Sequence, residues 1–345
     1  MSTATSSTPV ANLQPKDYGT NQEIRWCPGC GDYSILAQLK KAFSSLGKDP
    51  DQIVFVSGIG CSSRLPYYMN TYGIHSIHGR APALATGLRL ARPDLDIWVV
   101  TGDGDGLSIG GNHLLHAIRR NVNIKILMFN NRIYGLTKGQ VSPTSELSKK
   151  TISTPYGSVG ASINPCSFAI GAEATFVART VDMLPQHLQQ TLERAAAHHG
   201  MAFVEIYQNC NIFNDRAFLH ATDRETRDDN LVELEHGKAL IFGKAKDKGI
   251  RLRRDYRPEV VKLGDDGNSI YDLLIHDEKA KSPALAFLLS RLRYPDFPEP
   301  IGVFRDIEAP VYNELIDEQI ERLTREKGEP DLQQLLNGSE SWEVN

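Results

Sequence analysis

The stretch "LDIWVVTGDGDGLSIGGNHLLHAIRR", residues 95–120, decides the fold. It opens on an apolar, β-branched run, breaks at Gly102 into alternating glycine and aspartate, and closes on a segment with helical spacing. A short run that is apolar throughout is what a strand buried on both faces requires. Three similar runs occur, "QIVFVSGIGC" (52–61), "NIKILMFNN" (123–131) and "MAFVEIYQNC" (201–210), each ended by turn residues. Between and around them lie "YSILAQLKKAFSSL", "APALATGLRLA" and "VDMLPQHLQQTLERAAAHH", again with helical spacing. Strand–helix alternation of this kind, between residues 33 and 210, predicts an α/β fold, a doubly wound and mainly parallel sheet.

The rest of the chain sets limits on function. Its 345 residues are 41% apolar and 23% charged, with a formal charge of −4 spread along the sequence. That is ordinary soluble composition, with no basic face for nucleic acid. No apolar run reaches the ~18 residues that a membrane span needs. Residues 1–19 open polar and Ser/Thr-rich and are expected to form a flexible N-terminal tail, not a signal peptide. An odd count of five cysteines argues against a secreted disulfide framework and for reduced thiols in the cytoplasm. Residues 142–160, rich in Ser, Thr, Pro and Gly, read as a long loop. Beyond residue 225 the pattern turns charged and irregular, so residues 226–345 are expected to be a C-terminal extension. Helices are predicted there over 282–292, with Ser282 as cap, and over 317–328, stopped by Gly328. Fraying is expected from Asn337.

In an open α/β sheet the carboxyl ends of parallel strands share one edge, and ligands bind there. Cys61 ends the first apolar run, Asp103 the second, Asn130 and Asn131 the third, and Cys210 the fourth. Periodicity alone therefore predicts two cysteines, an acid and an amide pair on a common rim. The glycines around Asp103 let backbone approach a phosphate, and the helix that follows would aim N–H groups at it. A carboxylate and a carboxamide oxygen are hard ligands suited to Mg²⁺ bridging a diphosphate. Alone, G-D-G is as consistent with a turn. Followed a strand–helix–strand distance later by N-N, it is the signature of thiamine-diphosphate enzymes.

Cys27 and Cys30, in "RWCPGCGDYSIL" (25–36), form a C-x-x-C pair open to three readings: a zinc knuckle, a redox couple, or half of an iron–sulfur site. Zinc ribbons supply two close knuckles, whereas Cys61 and Cys210 are single and far apart in sequence. A redox dithiol needs no third or fourth cysteine. Four thiolates gathered from three places, beside a cofactor that yields electrons, favour one [4Fe–4S] cluster. Small buried residues are the bland alternative. Cys166, in "INPCSF", is the spare.

Taken together, "WCPGCGDYSIL", "GIGCSSRLPYY", "IHSIHGRAPALATGLRLARPDL", "VVTGDGDGLSIGGNHLLHAIRRN", "FNNRIYGLTKGQVSPTS" and "EIYQNCNIFND" resemble the β subunit of 2-oxoacid:ferredoxin oxidoreductases. The stretch "GLTKGQVSPTS…STPYGS" is most similar to the 2-oxoglutarate members. The resemblance covers residues 20–225 and implies a sheet of the thiamine-diphosphate-binding type. It implies oxidative decarboxylation: 2-oxoglutarate, coenzyme A and oxidised ferredoxin give succinyl-CoA, carbon dioxide and reduced ferredoxin, in either direction. Pyruvate or another 2-oxoacid is the alternative substrate.

By matching motif, the resemblance implies that Cys27, Cys30, Cys61 and Cys210 ligate the cluster. Asp103, the Asn131 side chain and the Ile133 carbonyl would hold Mg²⁺. Ile59, Gly60, Cys61, Ser62, His78, Gly104, Asp105, Gly135 and Leu136 would line thiamine diphosphate. His78 reads equally as a structural histidine. Arg64 is a candidate for the substrate carboxylate, with an ordinary surface arginine as the other reading. An α subunit would carry the pyrimidine-binding domain in a heterotetramer, and "RYPDFPEPIGVFR" (293–305) is expected to wrap that partner. Two rivals remain at this point. A non-oxidative thiamine enzyme leaves the rim cysteines unused, and a non-catalytic iron–sulfur or zinc protein leaves the Mg²⁺–diphosphate pattern unused.

Overall fold

The structure is a computed structural model that describes residues 13–339 and residue 342. In chain order the strands are β1 (Ile53–Ser57), β2 (Tyr72–His75), β3 (Asp96–Gly102), β4 (Lys125–Asn130), β5 (Phe176–Val181), β6 (Ala202–Tyr207), β7 (Leu231–Leu234), β8 (Ile241–Phe242), β9 (Lys248–Leu252), β10 (Pro258–Lys262) and β11 (Glu299–Asp306). Eight form one sheet in the order β2-β1-β3-β4-β6-β5-β11-β7, and β8–β10 form a small antiparallel sheet. Every pairing in the large sheet is parallel except β11 on β5. Helices α1 (Asp32–Ser45), α2 (Ala81–Ala91), α3 (Gly111–Arg119), α4 (Pro165–Gly171) and α5 (Pro185–Ala197) flank it.

Successive side chains of a strand point to opposite faces, and here both faces are covered. Phe55, Trp98, Leu127 and Val204 pack with Ile35, Leu39 and Phe43 of α1 and with Leu188 and Leu192 of α5. Val54, Val56, Ile97, Val99, Ile126 and Met128 belong to the opposite layer with Ala85 of α2, Leu114 and Ile118 of α3, and Ile170 of α4. Each large apolar side chain buried this way contributes about 1.5–3 kcal/mol relative to exposure. Covering both faces removes the polar alternation, which is why the runs read as continuous.

The structure departs from expectation in four places. β5 was hidden because Arg179 interrupts its apolar run. The guanidinium is nonetheless fully buried, its Nε 2.8 Å from Glu205 and its Nη1 3.6 Å from Glu299. A charge is tolerated there because it is paired on both sides. The sheet also runs across residue 225, since β7 and β11 both come from beyond it. The segment expected to wrap a partner instead supplies β11, buried along its length between β5 and β7. Pro298 and Pro300 gave it the look of a loop, but proline is accommodated at the start of a strand. Finally, the described part of the supposed flexible tail is packed. Tyr18 is fully buried and its hydroxyl lies 2.5 Å from the Lys48 carbonyl and 3.1 Å from that of Phe43. One aromatic anchors a segment whose neighbours are polar. Residues 1–12 lie outside the described residues.

The two predicted C-terminal helices are present over Ala284–Ser290 and Tyr312–Lys327, the second ending at Gly328 with φ 83°. A short helix follows over Leu332–Asn337, and the expected fraying falls mainly on residues outside the description. No helix among the described residues is long and apolar enough to cross a membrane.

Candidate active site

The loops that leave the carboxyl ends of β1, β3, β4 and β6 meet at one cleft. It is lined by Ile59, Gly60, Cys61, Ser62, His78, Asp103, Gly104, Asp105, Asn131, Ile133, Gly135 and Leu136, together with Asp32, Tyr134 and Gln208. An adjoining cavity of about 330 Å³ shares Ile59, Gly60 and Leu136, and Arg64 stands in its wall. Among the described residues no carboxylate forms an ion pair with Arg64.

Asp105 organises the rim. Its Oδ1 accepts from the backbone N–H of Ile59 at 3.1 Å and of Gly79 at 2.7 Å, and its Oδ2 from Thr101 Oγ1 at 2.7 Å. His78 Nδ1 makes a short contact with the same Oδ1. This buried carboxylate thus joins the loops after β1 and β2 to the end of β3. Gly58 has to be glycine, because a Cβ there would fall 2.0 Å from Asp105 Oδ2. Gly104 is similarly constrained. Its missing Cβ would lie 2.3 Å from the Tyr134 ring, whose hydroxyl donates to the Gly104 carbonyl at 3.0 Å.

Asp103 is 2% exposed. Burial pushes its carboxyl up to about 6, opposed by hydrogen bonds from Ser142 and Thr144. Both hydroxyls reach Oδ2 at 2.5 Å. Among the described residues no cation pairs with this buried acid, and a hard divalent ion fits that need. The Asn131 amide is oriented by its neighbours: Nδ2 donates to Gln208 Oε1 at 2.9 Å, and Oδ1 accepts from Ile133 N at 3.2 Å. Gln208 reaches onward, Nε2 to Cys30 Sγ at 3.2 Å, and so bridges the amide to the thiols.

Three backbone loops carry the four cysteines and are tied together. The turn of Cys27 and Cys30 needs Gly29 at φ 83°. Trp26 Nε1 donates to the Cys61 carbonyl at 2.7 Å, and Asn211 Nδ2 donates to the Pro28 carbonyl at 2.7 Å. Those two bonds pull the C-x-x-C turn onto the loops of Cys61 and Cys210. Gly135 lies beside two of the sulfurs: a Cβ there would stand in van der Waals contact with both, 3.4 Å from Cys210 Sγ and 3.8 Å from Cys61 Sγ. Burial pushes the Cys30 thiol up, with the Asp32 carboxylate adding to it. Burial likewise raises Cys61 to about 12, helped by Asp32, Cys210 and Cys27. Such thiols become thiolates only when a cation joins them. Among the described residues no three His, Cys, Asp or Glu side chains converge on a single ion position. Cys166 sits apart, fully buried in α4 with its Sγ 3.2 Å from Glu205 Oε2.

Sequence reasoning missed the groups that support this rim. Ser142 and Thr144 lay in a loop stretch that was linked to the 2-oxoglutarate members but given no role at the metal site, while Gln208 lay in a quoted motif two residues before Cys210 without being assigned a role. Gly58, Gly79 and Thr101 act on Asp105 through the fold, so nothing local marks them.

Comparison with known proteins bears on the same region. Residues 58–206 match the thiamine pyrophosphate enzyme, C-terminal TPP binding domain. The chain is 50% identical over 333 residues to 2-oxoglutarate oxidoreductase subunit KorB of Mycobacterium tuberculosis, covering 96% of this chain and 88% of that one. It is 42% identical over 254 residues to 2-oxoacid:ferredoxin oxidoreductase 1, subunit beta, of Aeropyrum pernix, covering 70% and 80% respectively. Among solved structures it is similar to a 2-oxoglutarate:ferredoxin oxidoreductase from Magnetococcus marinus with 2-oxoglutarate, coenzyme A and succinyl-CoA bound. The TM-score is 0.75 at 33% identity, over 96% of this chain and 97% of that one.

Proposed function

This chain belongs to the β subunits of the 2-oxoacid:ferredoxin oxidoreductases, and on that premise we propose that it serves the 2-oxoglutarate reaction. The products are succinyl-CoA, carbon dioxide and reduced ferredoxin. What supports this acyl substrate over pyruvate is the similarity along nearly the whole chain to one 2-oxoglutarate oxidoreductase subunit and the 2-oxoglutarate bound in the similar solved structure. The work is assigned to the cytoplasm, in an α₂β₂ assembly whose α subunit completes the cofactor site.

Within it, Asp103, the Asn131 side-chain oxygen and the Ile133 carbonyl would hold Mg²⁺, and the cleft from Ile59 to Leu136 would hold thiamine diphosphate. Bound there, thiamine diphosphate supplies a nucleophilic carbon for the keto group and an electron sink as carbon dioxide leaves. Cys27, Cys30, Cys61 and Cys210 would ligate one [4Fe–4S] cluster. Their spread over three loops suits a multi-iron cluster better than a single tetrahedral zinc. Cys61 would carry a cluster ligand and the next residue, Ser62, would line the thiamine site, which would set the two sites side by side. Arg64, without an ion pair in the adjoining cavity, would meet the substrate carboxylate with a charge-assisted bond. His78, half exposed beside Asp105, would be held facing the cofactor.

The observation that carries this reading is the convergence of Asp103, Asn131, Ile133, Cys61 and the other proposed thiamine contacts on one cleft, with Arg64 in the adjoining cavity and the turn of Cys27 and Cys30 tied to the loops of Cys61 and Cys210. The test is anaerobic reconstitution of the lone chain with iron, sulfide, Mg²⁺ and thiamine diphosphate, assayed with 2-oxoglutarate, coenzyme A and a dye acceptor. No turnover is expected until an α subunit is added. Full turnover of the lone chain would refute the shared site, and a preference for pyruvate in the assembled enzyme would refute the substrate.

A further inference from the structure

We propose that Ser142 and Thr144 are positioning residues that clamp Asp103 for its cation, which makes the loop after β4 part of the metal site. The inference rests on reading Asp103 as a Mg²⁺ ligand. Both hydroxyls converge at 2.5 Å on the same carboxylate oxygen, Oδ2, and both residues are buried. A carboxylate held only by its own bonds can turn about its terminal torsion. Two fixed donors on one oxygen leave it one orientation.

Proton accounting supports a dedicated clamp. Thr144 Oγ1 also lies 2.9 Å from Asn130 Oδ1, so its single proton has two acceptors in reach. The Asn130 amide cannot flip to relieve this. Its Nδ2 donates to Glu205 Oε1 at 2.7 Å, and its Oδ1 already accepts from Arg132 N at 3.1 Å. An ionised carboxylate is the stronger acceptor, so the Thr144 proton goes to Asp103.

The loop is itself braced to deliver these groups. Ser142 N donates to Ser145 Oγ at 2.8 Å, Ser145 Oγ donates to the Arg132 carbonyl at 2.6 Å, and Ile163 N donates to the Pro143 carbonyl at 2.9 Å. The turn "SPTS" is therefore pinned at both ends over the end of β3. Its three hydroxyls divide two tasks. Ser145 fixes the turn, while Ser142 and Thr144 point into the rim.

The test titrates Mn²⁺, followed by its electron paramagnetic resonance signal, into the purified αβ enzyme with thiamine diphosphate present. Thr144→Val and Ser142→Ala should each weaken Mn²⁺ binding about tenfold or more, the loss expected of a hydrogen bond to a charged group. Thr144→Ser should restore it. In an Asp103→Asn background, Thr144→Val should add almost nothing, since the group it positions has changed; a merely structural threonine would cost the same in either background. Should Thr144→Val fail to assemble, Ser142→Ala carries the same comparison. Wild-type Mn²⁺ affinity in Ser142→Ala and Thr144→Val, with affinity lost in Asp103→Asn, overturns the clamp alone. Wild-type affinity in Asp103→Asn overturns the ligand reading on which it rests.

Discussion

Replacing Asp105 by alanine should lower the stability of this chain by about 2–4 kcal/mol. The magnitude follows from what the carboxylate satisfies. Ile59 N–H and Gly79 N–H, at 3.1 and 2.7 Å, would be left without acceptors on the rim. The buried Gly79 donor would cost roughly 1–3 kcal/mol, while the part-buried Ile59 donor and the Thr101 hydroxyl each add a smaller loss. Asp105→Asn should be milder, about 1–2 kcal/mol, because the amide oxygen can keep both backbone donors. The new NH₂ would face Thr101 Oγ1, which can turn to donate to the Gly102 carbonyl at 3.2 Å and accept instead.

Differential scanning fluorimetry of the assembled enzyme should rank wild type above asparagine above alanine. At this chain length roughly 1–2 °C is expected per kcal/mol. Hydrogen exchange read by mass spectrometry should show the amides of Ile59 and Gly79 losing protection in the alanine variant specifically. Equal melting of the two variants, or unchanged protection at those amides in Asp105→Ala, would refute the hub argument.

Cys210→Ser should strip iron and visible colour from the protein while Cys166→Ser keeps both, since Cys166 is walled into α4; iron analysis of the two variants decides it. Because burial raises the Asp103 carboxyl to about 6, its contribution to metal-free stability is present below the ordinary carboxylate range and is lost as pH rises through about 6. Mg²⁺ binding should run the opposite way and weaken as pH falls below about 6, so titration calorimetry across that range should show the loss and Asp103→Asn should abolish the dependence. Arg64→Ala should raise KM for 2-oxoglutarate by roughly one to two orders of magnitude, the worth of a charged hydrogen bond, and unchanged kinetics would place the carboxylate on the partner chain.

The sequence by itself determined the parallel core and the rim. Runs such as "DIWVVTG" are apolar throughout because helices cover both faces, and the strand period then forces Cys61, Asp103, Asn131 and Cys210 to one edge. Those features are local, so they are legible. What only the tertiary structure decided depends on partners distant in the chain. Arg179 reads as a break in a strand until Glu205 and Glu299 are brought beside it. Residues 293–305 read as a proline-rich strap until β5 and β7 pair with the strand Glu299–Asp306 on either side. Ser142 and Thr144 read as loop residues until the turn folds back over the end of β3. In each case a polar or strand-breaking residue acquires its meaning from a hydrogen bond made far along the sequence, and no local period encodes that.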